Sequence, residues 1–341
     1  MIHTEGLTKT FHRKKQPVHA VKGVDLHVAP GELVAFLGPN GAGKSTTLRM
    51  LTSLLRPTSG TATVAGANVI TEPALVRQRI GYIGQGNGAG HSYRVIDELH
   101  LQGSFYGLSG AVSRERAALL VDALQLDGLE KRTVSSLSGG QRRRLDVAMG
   151  LMNHPDLLFL DEPSTGMDPQ GRANLWDHIL RMRNDLGMTL VLTTHYLEEA
   201  DDMAERVIVI DHGSVIADDS PDRLKLQHAD DLITLGFGSP EDTEVALQSL
   251  RADRRFADAL EQPQPDSIRI TTDHGAGQLP TALYLLDADG VRPRRAATRE
   301  ATLDDVFLNL TGRSLREGGE QQASDTDPTP TPTAPAGVDA A

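Results

Sequence analysis

Four short runs dominated by apolar residues, Leu33–Leu37, 157–160, 189–193 and 206–210, punctuate the chain up to about residue 227. Continuous rather than alternating apolarity over strand length is the pattern of a strand covered on both faces, as in a parallel sheet flanked by helices. The stretches 44–54, 172–186 and 196–204 instead carry helical patterns. This alternation predicts an α/β layered domain on a mostly parallel sheet, spanning residues 1–227. Between about residues 90 and 153 the strand signal disappears, and 97–106, 114–126 and 141–151 all read as helices. That stretch predicts a helical insertion. Asp211-His212-Gly213, set between apolar runs, predicts a hairpin turn.

A second unit follows over residues 231–315, with candidate strands at 232–237, 267–272 and 291–297 and candidate helices at 241–250, 278–286 and 303–310. A small α+β module is the expectation. Residues 316–341 hold Thr-Pro repeats with little to bury, the composition of a disordered tail.

Composition narrows the function. A net charge of -12 argues against a nucleic-acid binder held by phosphate contacts. With no cysteine there is neither a disulfide nor a thiolate metal site. Residues 1–15 lack the apolar stretch of a signal peptide, and the apolar runs fall far short of the roughly 18 residues of a membrane span. Any membrane role is therefore expected to come through a partner.

The chemistry begins directly after the first strand. Gly38-Pro39-Asn40-Gly41-Ala42-Gly43-Lys44-Ser45 matches the Walker A pattern between a buried strand and a helix, with Thr46 next in line. Glycines let the backbone turn its N–H groups inward on phosphate oxygens, and the helix N-terminus adds positive potential. Lys44 would reach the β- and γ-phosphates of ATP, and Ser45 would place its hydroxyl on Mg²⁺. Asp161 closes the apolar run 157–160 and would emerge beside this cradle to hold the metal. Glu162, its neighbour, is the candidate general base.

Leu137-Ser138-Gly139-Gly140-Gln141 supplies a second phosphate-type helix N-terminus. One chain with two cradles makes sense if the second serves the nucleotide of another subunit. The sequence resembles the ABC-type ATPases, with all expected motifs in order over roughly residues 1–225. The resemblance implies a P-loop NTPase fold and head-to-tail pairing, in which Ser138 and Gly140 of one protomer face ATP held by Lys44 of the other. It implies further roles. Phe11 aligns with the aromatic that stacks on adenine, although a core phenylalanine is the competing reading. Gln85 aligns with the residue that senses Mg²⁺ and the attacking water. Asp168, in Ser164-Thr165-Gly166-Met167-Asp168, falls at the dimer seam. His195 aligns with the switch histidine at the γ-phosphate, singled out from 12 histidines by its place after a buried strand. The run Arg142–Arg144 reads as a solvated helix face.

Some positions depart from the family's usual wording: Gly84 before Gln85 where proline is common, Arg94-Val-Ile-Asp-Glu-Leu99, and Met167 in place of leucine. The first two lie where such domains meet a membrane partner. A single Walker A and signature, no long coiled-coil insertion and no zinc-binding cysteines set the chain apart from the soluble branches of the family. The segment Glu300–Gly312 and Arg142-Arg-Arg-Leu-Asp146 resemble the daunorubicin/doxorubicin-resistance-type ATP-binding proteins. That implies a peripheral ATPase at the cytoplasmic face of the cell membrane, serving an ABC-2 type integral-membrane permease that exports a lipophilic compound. The alternative is a non-transport ATPase that regulates a soluble partner.

Overall fold

The computed structural model describes residues 1–13 and 16–312; the expected tail at 316–341 lies outside these. The chain opens with strands β1 (Ile2–Arg13), β2 (Gln16–Val28) and β3 (Leu33–Leu37), then α1 (Lys44–Leu51), β4 (Ser59–Val64), β5 (Ala67–Asn68), α2 (Pro73–Arg79) and β6 (Ile80–Ile83). Helices α3 (Val95–Phe105), α4 (Gly110–Ala123) and α5 (Gly139–Gly150) follow with no named strand between them. Next come β7 (Leu157–Asp161), α6 (Pro169–Leu186), β8 (Thr189–Thr194), α7 (Leu197–Met203), β9 (Arg206–Asp211), β10 (Ser214–Asp219) and α8 (Pro221–His228). The last elements are β11 (Asp231–Gly236), α9 (Pro240–Ala252), β12 (Leu260–Gln264), β13 (Ser267–Thr272), α10 (Gly275–Ala288), β14 (Arg295–Arg299) and α11 (Leu303–Thr311).

The central sheet has the order β10-β9-β3-β8-β7-β6. Its strands are parallel except β10, which pairs antiparallel with β9 through the expected His212-Gly213 turn. Both turn residues have positive φ, 48° and 82°, as a two-residue hairpin of this type requires. Every residue of β3, β7 and β8 is buried, which is why their sequences are dominated by apolar residues, with Asp161 of β7 and Thr189, Thr193 and Thr194 of β8 at or next to the strand ends. The order β3-β8-β7 sets three carboxyl ends side by side, the edge where open α/β sheets place ligands.

A second sheet, β2-β1-β4-β5, is antiparallel and carries no simple pattern in the sequence. Bulges interrupt β1 between Thr4 and Leu7, Leu7 and Thr8, and Lys9 and Thr10, so alternation is lost. Its Leu7, Leu26, Val28 and Val64 share a core with Phe36, Phe159 and Ile208 of the central sheet. The opposite face of the central sheet packs on the helical side, where Leu145, Leu151 and Trp176 join Leu158 and Leu192.

The third sheet, β12-β13-β11-β14, is antiparallel and encloses its own core, with Ile233, Leu235, Ile268 and Ile270 against Leu247 and Leu250 of α9 and Leu286 of α10. The expected strand at 291–297 lies further on, at Arg295–Arg299. Val291 instead packs into the core, and Pro293 lacks the N–H a ladder needs. Helix α11 leaves this unit: Leu303, Val306 and Phe307 are buried in the core of the first one, beside α7 and α8.

Candidate active site

The loop from Gly38 to Gly43 joins β3 to α1 under tight constraint. A Cβ on Gly38 would stand 2.1 Å from the Ile210 carbonyl oxygen at the end of β9, and one on Gly43 (φ 109°) 2.5 Å from that of Ala20 in β2. Neighbouring backbones thus press on both ends of the loop, and only glycine fits. Pro39 and Ala42 are buried, while Asn40 and Gly41 are exposed and Thr46 is half-buried on the first turn of α1. The buried Lys44 ammonium donates to the carbonyls of Gly38 at 2.6 Å and Pro39 at 3.1 Å. Burial lowers its pKa, opposed by the charges of Glu162 and Asp161. A buried cation whose direct partners are neutral carbonyls suits an anionic ligand within the loop.

Beside it, Ser45, Asp161 and Gln85 converge. Ser45 Oγ donates to Asp161 Oδ1 at 2.9 Å, and Gln85 Nε2 approaches Ser45 Oγ at 3.4 Å. Thr193, at the end of β8, donates to the same Asp161 oxygen at 2.7 Å, while the Tyr82 hydroxyl reaches Oδ2 at 3.5 Å. The Ser45 hydroxyl and the Asp161 carboxylate are hard-oxygen donors, the kind that hold Mg²⁺ together with substrate phosphates, and the Gln85 amide stands beside them.

Glu162 has φ of 50°, a left-handed conformation unusual for a residue with a side chain. Its N–H is held by the carbonyl and hydroxyl of Thr193, each at 3.1 Å. The strain turns the chain sharply after Asp161 and sets the Glu162 carboxylate 3.3 Å from Nδ1 of His195, without hydrogen-bond alignment, and within 3.2 Å of the Thr165 hydroxyl. The His195 ring holds the Glu162 carboxyl below the usual carboxylate range, against the opposing effect of burial. Just behind, buried Glu199 accepts from Ser164 and, at 2.8 Å, from Thr194, with Arg172 at 3.7 Å.

Across an open cleft of about 660 Å³ stands the N-terminus of α5. Ser138 caps it: its Oγ accepts from the Gln141 N–H at 3.2 Å, and its own N–H donates to Gln141 Oε1 at 3.0 Å. Ser138 and Gly139 are exposed, and Gly140 faces Met167. Asp168 caps α6, accepting from the Gly171 N–H at 2.5 Å, and is likewise exposed on the cleft.

Residues 21–165 match the ABC transporter family. The chain is 40% identical over 326 residues to the daunorubicin/doxorubicin resistance ATP-binding protein DrrA of Streptomyces peucetius, spanning 96% of this chain and 97% of that one. It belongs to the ABC transporter family. The Nod factor export ATP-binding protein I of Cupriavidus metallidurans is 37% identical over 305 residues, 87% of this chain and 94% of the relative. The fold resembles the dimeric ATP-binding cassette MJ0796 in a post-hydrolysis state with ADP and Pi, with a TM-score of 0.60, 26% identity, and coverage of 64% of this chain and 98% of that one. This ABC protein is an ATPase, the energy-supplying subunit of an exporter. The exporter relatives weigh against the regulatory reading.

Two features of this ABC ATPase were not legible in sequence. Arg142–Arg144 is not a solvated face. Arg143 is buried, donating to the carbonyls of Pro163 at 2.6 Å and Gly84 at 2.8 Å, while Arg142 bonds Leu137 O and Arg144 bonds Asn174. Thr193, Tyr82 and Glu199 also escaped notice; the signal was a hydroxyl or carboxylate set inside or just after an apolar run. Phe11 is 40% exposed on β1, so it is not a core residue. It pairs with Val18 of β2, two residues before the Ala20 carbonyl that abuts Gly43.

Proposed function

We propose that two copies of this chain close head-to-tail around ATP, each site combining the cradle of one copy with the α5 N-terminus of the other. The observation that carries this reading is the split geometry. Lys44, Ser45, Asp161, Glu162 and His195 belong to one linked cluster, whereas the capped, exposed Ser138–Gln141 turn stands across the cleft, its next N–H groups open to a ligand.

Phe11 stacks on adenine, the N–H groups of 38–46 and the Lys44 ammonium take the phosphates, and Ser138 and Gly140 of the second copy cover the γ-phosphate. Ser45, Asp161 and Gln85 would hold Mg²⁺, which when bound offsets phosphate charge. Glu162, kept ionised by His195, accepts a proton from the attacking water. His195 orients the γ-phosphate, and Asp168 lines the seam. Because ATP favours the closed pair and ADP does not, hydrolysis shifts the open–closed equilibrium.

Residues 1–227 form the catalytic domain, with 231–315 as an accessory module whose last helix, α11, packs back on the catalytic domain. The permease is of the ABC-2 kind and the cargo a lipophilic, drug-like compound, supported by the relatives named for daunorubicin and doxorubicin resistance. The protein acts at the cytoplasmic face of the membrane as a peripheral subunit, a reading supported by the relatives named as ATP-binding proteins of export and drug resistance; no described helix is long and apolar enough to cross a membrane. Phe105, Tyr106 and Leu54 line an apolar groove of about 410 Å³ suited to a permease segment. Glu162→Gln tests the pairing: in sedimentation it accumulates as an ATP-dependent dimer with little turnover. A monomer at saturating ATP would refute the closed pair.

A further inference from the structure

The helix that begins at Ser138 does more than present its N-terminus. We propose that Arg143 and Asp146, one turn apart on α5, are a positioning pair that fixes Gln85 and Glu162 relative to the Ser138–Gln141 turn, so that hydrolysis, rather than nucleotide capture, depends on them. The proposal rests on the reading of Gln85 and Glu162 as parts of the catalytic site.

The two side chains bracket Gln85. Arg143 Nη1 donates at 2.8 Å to the carbonyl of Gly84, the residue before it. Asp146 Oδ1 accepts the N–H of Gly88, three residues after it, at 2.9 Å. The same guanidinium reaches the other side of the site: Nε donates to Pro163 O at 2.6 Å, and Nη2 approaches the carbonyl of Glu162 itself at 3.5 Å. Glu98 of α3 adds a tie at the far end of the loop, accepting from the Gly90 N–H at 2.7 Å. The loop backbone is thus held at 84, 88 and 90, while Gln85 and Asn87 stay exposed between the ties.

Arg143 and Asp146 are only 7% and 6% exposed. Burial works against both charges, lowering the Arg143 pKa and raising that of Asp146. A pair kept for stability alone would offset that cost by bonding within itself. Here Nη1 stands 3.7 Å from Asp146 Oδ2, and that oxygen has no hydrogen-bond partner. The short bonds go outward, to the backbone of two catalytic loops. A planar guanidinium can serve carbonyls in several directions at once, which a lysine ammonium on its flexible stem cannot do with the same fixed geometry. Rotation of α5 would therefore carry the Ser138 turn, the Gln85 loop and the Glu162 backbone together, linking closure on ATP to assembly of the hydrolytic geometry.

The test uses the full-length protein, with kcat, KM for ATP and equilibrium ATP affinity measured separately. Arg143→Lys lowers kcat by at least about tenfold, with KM and affinity changed less than about threefold, as expected for a small misplacement of reacting groups. The double variant Arg143→Met with Asp146→Leu removes both buried charges but leaves the Gly84 and Pro163 carbonyls and the Gly88 N–H without these partners, so it melts lower, still folds, and shows the same selective loss of kcat. Wild-type kcat in the folded double variant, or equal losses of kcat and ATP affinity, would overturn the pair. Should the double variant not fold, Arg143→Lys decides: a wild-type rate there refutes the proposal. Glu162→Gln and Gln85→Ala run alongside. If those controls keep full turnover, the catalytic reading falls and the pair with it. If they lose turnover and Arg143→Lys does not, the pair alone falls.

Discussion

Replacing Glu199 by alanine removes the acceptor at the centre of a buried polar junction. The carboxylate is 2% exposed, and the Ser164 and Thr194 hydroxyls it receives are each 1% exposed. Each hydroxyl left without an acceptor costs about 1–3 kcal/mol. Arg172 lies 3.7 Å from Glu199, but it is partly solvated and keeps its stacking on the Tyr196 ring at 3.9 Å, so its loss adds little. The total, about 2–6 kcal/mol, brackets the usual cost of breaking a buried charged pair, about 3–5 kcal/mol. In a domain of this size that lowers the melting temperature by about 10 °C. Glu199→Gln keeps an acceptor oxygen for one hydroxyl and should lose only about 1–2 kcal/mol. Urea unfolding of the three proteins, with unchanged slopes, measures both losses. Because Ser164 leads into Asp168 and Thr194 into His195, turnover should fall beyond what the lost stability explains. A loss under about 1 kcal/mol for Glu199→Ala would show that the junction does not depend on the carboxylate.

Three further outcomes follow from the same geometry. His195→Ala removes the largest influence depressing Glu162, so burial pushes its pKa up; the base is then protonated at higher pH, and the acid limb of kcat/KM moves upward. A limb that stays in place would separate Glu162 from His195. In stability the sign is the same: the Glu162 contribution is present above the ordinary carboxylate pKa and is lost as pH falls through the depressed value, so His195→Ala flattens this acid dependence. Gly43→Ala drives a methyl to 2.5 Å from the Ala20 carbonyl at φ 109° and should cost about 2–5 kcal/mol in urea unfolding, whereas Gly139→Ala, which faces open space, stays within about 0.5 kcal/mol. Equal losses would contradict the packing around the cradle.

The central sheet was readable because β3, β7 and β8 are covered on both faces and leave short runs dominated by apolar residues. The antiparallel sheet was not, since bulges break the alternation of β1 and most of β2 from Gln16 to Ala20 is exposed. Strand β6 was hidden by its length and by Gly81, where a Cβ would stand 2.3 Å from the Gly150 carbonyl oxygen. The site shows the same division. Lys44, Ser45 and Asp161 were placed by their sequence neighbours, because a strand end and a helix start fix them locally. Arg143 looked like surface charge among three arginines; only the fold brings Gly84 and Pro163 to meet it. The nearest sequence sign was Asp146, one turn on, amid Leu145, Val147 and Ala148.

Subunit mixing addresses the shared site most directly. Ser138→Arg blocks the covering turn, and Lys44→Ala disables the cradle, so each variant alone is inactive. Combined in equal amounts, half of the dimers pair one of each, and each such dimer holds one intact site out of two. Sharing therefore predicts recovery of about a quarter of the wild-type ATPase rate. A mixture of folded, exchanging chains that stays as inactive as its parents would contradict it.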